Sequence, residues 1–128
     1  MKLTEEEKGS LAREVMTILD GWGLTAEQQL LMLSLPDNVP GRALRRYRDG
    51  SPFPENEKVS ERIEHIMGIA EALRTTYPHN TSMSNLWIKR TNKHFTTRPP
   101  LVIVIEDGLN GLLRVRSHLD CTFDWFGA

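Results

Sequence analysis

A chain of 128 residues, 39% hydrophobic and 26% charged, is one globular domain or one domain with a small appendage, and it can close a core without a staple. Sixteen Lys and Arg against seventeen Asp and Glu leave a formal charge of −1, which excludes a wholly basic nucleic-acid coat and a strongly acidic tail but not a local basic patch. The single Cys121 cannot form an internal disulfide or, alone, a zinc or redox motif.

The N-terminal segment predicts a helix. Thr4 and Glu7 have capping-box spacing, and three glutamates in the first turn suit the positive end of a helix dipole. Leu11, Val15, Ile18 or Leu19, and Trp22 follow at helical steps as a core stripe, until Gly21 and Gly23 stop the helix. A second helix starts at Thr25, which pairs with Gln28 as another capping box; it carries Leu30, Leu31 and Leu33 and ends before Pro36. Pro36 to Gly41 is dense in turn residues. A third, short basic helix runs from about Gly41 to Arg48 and closes at Asp49-Gly50, completing a helix-turn-helix outline.

Ser51-Pro52-Phe53-Pro54 is a stiff connector. The longest helix, from about Glu55 to Tyr77, carries a stripe of Val59, Ile63, Ile66, Ala70, Leu73 and Tyr77, and Gly68 within it suggests close helix packing. Pro78 to Ser82 reads as a loop, Met83 to Arg90 as helical and Thr91 to Pro99 as irregular. Leu101 to Ile105 suits a strand or a buried helical turn. Pro99-Pro100 at its start and the absence of a partner strand favour a short helix, and the run is too short to span a membrane. Leu112, Val115 and Leu119 form the stripe of a last helix from Leu109. The fold expected is all-α: a helix-turn-helix-like bundle over residues 1–54, a long connecting helix over 55–80 and a small helical domain over 81–128. No signal peptide is evident, which predicts a cytoplasmic protein.

Chemistry is sparse. His65, His79, His94 and His118 lack metal-ligand spacing, no phosphate-cradling loop is present, and Cys121 has no arranged base. The expectation is no catalytic residue, no metal and no cofactor. The distinctive charge feature is Arg42, Arg45, Arg46 and Arg48, four of the sixteen basic side chains on about 11 Å of helix. Guanidinium groups grip phosphates or read guanine edges, and their place in the helix-turn-helix outline makes them candidate DNA contacts; the alternative is a solvated face paired with Asp37, Asp49 or Glu55. A second feature is the aromatic set Trp87, Phe95, Phe123, Trp125 and Phe126, either packed on its own core or anchoring a partner, with Arg90, Arg114 and Arg116 as nearby charged contacts.

From Trp22 to Asp120 the chain resembles the MbcA/ParS/Xre antitoxins of bacterial toxin–antitoxin modules. The resemblance rests on Tyr47-Arg48-Asp49-Gly50, then Ser60-Glu61-Arg62-Ile63, Met67-Gly68-Ile69, Ala72-Leu73 and Tyr77-Pro78. It continues through Trp87, Thr91-Asn92, Phe95, Pro100-Leu101, Gly108, Gly111 to Arg116 and Leu119-Asp120. Thr91-Asn92 stands where the family usually has Pro-Asn, and the turn from Leu35 to Gly41 holds two prolines and is lengthened. The resemblance implies an Xre-like helix-turn-helix joined to a toxin-binding domain. It further implies neutralisation of a RES-type, NAD-consuming toxin by covering its active site, repression of its own operon and action as a homodimer. On that reading the candidate toxin contacts are Trp87, Arg90, Asn92, Arg114, Arg116, Trp125 and Phe126. A plain helix-turn-helix regulator whose C-terminal half only dimerises is the alternative, and an enzyme using His94 or His118 as a base is a third.

Overall fold

The computed structural model describes residues 3–127, with side-chain surroundings described as far as residue 121. It is all-α: α1 (Glu5–Gly21), α2 (Ala26–Met32), α3 (Ala43–Arg48), α4 (Glu57–Thr76), α5 (Thr81–Lys89), α6 (Pro100–Asp107) and α7 (Leu109–Gly127), with no strand among the described residues. The chain divides into two compact units, Met1–Ile63 and Glu64–Ala128, so the division falls within α4 rather than on either side of it.

In the first unit both capping boxes form. The Thr4 hydroxyl accepts from the Glu7 N–H at 3.1 Å while the Glu7 carboxylate accepts from the Thr4 N–H at 2.9 Å, and Thr25 and Gln28 repeat the exchange at the start of α2. The C-termini of α1, α2 and α3 share one device. The residue past the cap turns left-handed, at Gly23 (φ 77°), Ser34 (φ 55°) and Gly50 (φ 101°), and it and its successor donate back to the last turn. Glycine enters that region without steric cost, whereas Ser34 does so against its Cβ.

α1 buries Ala12, Val15, Met16 and Leu19, and Trp22 caps it from within the core; α3 packs on α1 with Ala43, Leu44 and Tyr47. Of the leucines of α2 and its cap, only Leu33 is fully buried. Gln29, Met32 and Leu33 are buried, Leu30 is half-buried, and Leu31 is 73% exposed. Positions 29, 32 and 33 are spaced to share one helix face, and residues 30 and 31 fall off it.

In the second unit α5 packs on α6 and α6 on α7. α5 begins earlier than expected because the Asn80 side chain caps it, accepting from the Met83 N–H at 3.1 Å. The apolar run resolves as helix: Pro100 occupies the first turn of α6, where its missing N–H costs nothing, and Pro100, Ile103 and Val104 form the buried face. Leu112, Val115 and Leu119 of α7 are buried as the stripe required, and Ile66, Ile69 and Leu73 of α4 are buried in the same unit. Gly111 lets α7 meet α6 backbone to backbone, because a Cβ there would strike the carbonyl of Ile103.

Two glycine substitutions test this packing. Gly111→Ala forces the α6 and α7 backbones apart and should lower thermal stability by about 1–3 kcal/mol, the usual cost of overpacking. Gly41→Ala meets only the Ala26 methyl at an ordinary 3.7 Å and should change stability by less than about 0.5 kcal/mol. Thermal denaturation followed by circular dichroism separates the two outcomes.

Candidate functional site

The chain presents two candidate surfaces, one in each unit. In the first, α3 sets four arginines in different roles. Arg42 is the N-cap residue of α3, and Arg45 and Arg46 lie on its exposed face; the side chain of none of the three has a hydrogen bond or ion pair among the described residues. Arg48 is committed internally. Its Nε and one terminal nitrogen clasp the two oxygens of Asp20, both at 2.9 Å, and that terminal nitrogen also donates to the Gln29 side-chain oxygen at 3.0 Å.

Gln29 is 1% exposed and completes the network, donating to Asp20 at 2.8 Å and to the Leu24 carbonyl at 3.3 Å. One buried amide thus joins residues of α1, α2 and α3. The Arg48 hydrogen bonds hold the Asp20 carboxyl below the ordinary carboxylate range against the opposing effect of burial. Sequence reading missed this network because its members are far apart in the chain. The available signal was Gln29 itself, a polar residue at helical spacing with Met32 and Leu33.

In the second unit, the end of α4, α5 and the start of the following loop enclose an open groove of about 190 Å³, lined by Tyr77, Met83, Leu86, Trp87, Arg90, Thr91 and Asn92. Three of the expected contact residues, Trp87, Arg90 and Asn92, therefore share one concavity. Trp87 is half-buried, Arg90 is exposed and Met83 is 40% exposed at the rim. Asn92 also shapes the loop, its side-chain oxygen accepting from the N–H groups of His94 at 2.9 Å and Phe95 at 3.0 Å. Its Nδ2 is buried and lacks a partner.

Behind the groove the loop folds onto α7 through an aromatic stack. The rings of His94 and His118 lie 4.1 Å apart and nearly parallel, Phe95 meets both edge-on, and Trp87 stacks at 6.4 Å on His118. Phe95 is 2% exposed, so this member of the aromatic set belongs to the core. Arg114 is exposed and holds its guanidinium 5.4 Å from the Phe95 ring centre, a cation–π contact that leaves its donors outward.

Arg116 instead turns inward. It lies in the space a side chain at Gly68 would fill, donates to the Glu64 carbonyl at 3.4 Å and meets His65 Nδ1 at 3.0 Å, fixing α7 to the start of the unit. The glycine in α4 serves close packing as expected, with an arginine rather than a helix backbone as the neighbour. Trp125 and Phe126 fall on the last turns of α7, and their side chains lie outside the described residues.

Among the described residues no group of three or more His, Cys, Asp or Glu side chains is placed to hold a metal ion, and no helix is long and apolar enough to cross a membrane. Cys121 is exposed and free. The sequence matches no protein-family model and no curated protein, so the functional reading rests on these residues and their geometry.

Burial, and then the neighbouring His94, push the His118 pKa below the ordinary histidine value. A depressed folded-state pKa means that the stabilisation is complete above the unfolded value of about 6.5 and is lost as pH falls through the folded value. The melting temperature should therefore drop as pH falls below about 7, and His118→Phe, which keeps a ring in the stack, should reduce that drop. Melting curves across the pH series provide the measurement.

Proposed function

We propose that this chain is the antitoxin of a toxin–antitoxin module. Its C-terminal unit covers the active site of a RES-type, NAD-consuming toxin, and its N-terminal unit binds operator DNA as a homodimer to repress the module's own expression. The chain itself performs no chemistry in this reading. The observation that carries it is the division of labour between two compact units: one displays unpaired arginines on a short third helix, and the other holds Trp87, Arg90 and Asn92 in one groove.

The family resemblance supplies the identity of the toxin, and the physics supplies the means. Inhibition by occlusion needs only a complementary surface with a desolvated anchor, for which Trp and Arg are the side chains of choice. Arg42, Arg45 and Arg46 are free to meet phosphates, and Arg48, through Asp20 and Gln29, is the positioning residue that sets the pitch of α3. Arg114 joins the toxin-facing set, while Arg116 supports α7 from beneath.

Mixing the full-length protein with the product of an adjacent RES-type gene should give a stable complex and arrest NAD consumption. Arg90→Glu should weaken that complex at least tenfold. DNA binding without complex formation would instead favour a regulator whose C-terminal half only dimerises.

The DNA contacts have their own signature. Replacing Arg45 and Arg46 with Ala should weaken operator binding and lower the slope of log affinity against log salt by about 0.9 for each lost phosphate contact. Arg48→Ala should leave that slope nearly unchanged and lower the melting temperature, because it leaves Asp20 and Gln29 without their partner. Titrations at several salt concentrations, paired with melting curves, distinguish a contact residue from a supporting one.

A further inference from the structure

From Tyr77 to Ile105 the chain contains no Asp or Glu, while Lys89, Arg90, Lys93 and Arg98 fall within it. Arg98 is neutralised by Glu106 and Asp107 at 3.0 and 2.9 Å, but Lys89, Arg90 and Lys93 are exposed and have no ion pair among the described residues. Arg90 lines the groove together with Tyr77, Met83, Leu86 and Trp87, and Lys89 and Lys93 are chain neighbours of the lining residues Arg90 and Asn92. An apolar groove thus carries a positive charge that no carboxylate among the described residues answers, in a chain whose overall charge is −1.

At about 190 Å³ the groove is smaller than the roughly 300–1,000 Å³ of small-molecule sites, and its size suits one large side chain. Its lining is aliphatic and thioether as well as aromatic, and Met adapts its shape to an incoming apolar group. A single-stranded nucleic acid would need successive exposed rings on which to stack, whereas Trp87 is half-buried and already stacked on His118.

We propose that this groove is a receptor for a short protein segment that seats one large apolar side chain between Met83, Leu86 and Trp87 and carries an acidic residue beside it to meet Arg90, with the exposed Lys89 and Lys93 adding to the positive charge of the segment around it. The inference deepens the reading that the C-terminal unit binds a protein partner. It makes this unit a host for part of the partner as well as a cover over it.

The test is selection from a random peptide library displayed on phage, panned against the immobilised full-length protein. Enriched peptides are expected to place Asp or Glu within two residues of Leu, Met, Phe or Trp. Their binding should fall at least tenfold with Arg90→Glu or Met83→Glu and stay unchanged with Leu113→Glu, an exposed site outside the groove lining. Circular dichroism confirms that each variant is folded. No enrichment, a neutral or basic consensus, or binding indifferent to Arg90→Glu would overturn the proposal. So would an oligo(dT) strand that binds the protein with the same sensitivity to Arg90→Glu and displaces the selected peptides. Peptide selection that succeeds while the RES-type gene product fails to co-elute would remove the antitoxin reading and leave the receptor groove standing.

Discussion

The first unit depends on a single buried amide. Gln29 is sealed from solvent, and burying an amide is costly unless its donors and acceptor are matched. They are matched here by Asp20, the Leu24 carbonyl and Arg48, residues from or next to each of the first three helices. Aliphatic packing alone would allow α3 to slide against α1, since apolar contacts are non-directional. The bidentate Arg48–Asp20 clasp and the amide behind it admit one orientation. The solvent-facing arginines of α3 inherit that orientation, so a polar network in the core determines what the surface can touch.

The second unit fixes its surface differently. Among the described residues no comparable polar core ties α5, α6 and α7. The loop between α5 and α6 is held by Asn92, which closes it on itself, and by Phe95, which is driven into the core and ringed by histidines. The groove therefore sits on a helix end and a loop whose conformation depends on aromatic packing. Burial and the neighbouring His94 both disfavour a charge on His118 within that packing.

Much of the fold was legible in the sequence because it is written in local rules. The two capping boxes, the closures at Gly23 and Gly50, the α7 stripe and the proline-led start of α6 all involve residues within a few positions of each other. Ser34 gave no signal, because serine seldom adopts the left-handed conformation that glycine announces. The buried face of α2 was not legible from its leucines, because Leu33 is buried while Leu31 is exposed and the polar Gln29 shares the inner face with Met32. Of the arginines, composition showed the cluster but not its partition. That Arg48 turns to Asp20 and Arg116 to Glu64 and His65 depends on residues 28, 52 and 51 positions away, which no local pattern encodes. The meeting of Trp87, Arg90 and Asn92 in one concavity was the most readable part of the site, since they lie on one helix end and the residues just after it.

The acid-free stretch from Tyr77 to Ile105 bears on kinetics as well as affinity. Uncompensated charge acts over about 8–10 Å at physiological ionic strength, well beyond contact range, so it governs how quickly an anionic partner arrives. The apolar floor of the groove acts only once water has been expelled, so it governs how long the partner stays. A surface built this way separates encounter from residence: adding salt slows capture while an assembled complex persists nearly as long as before.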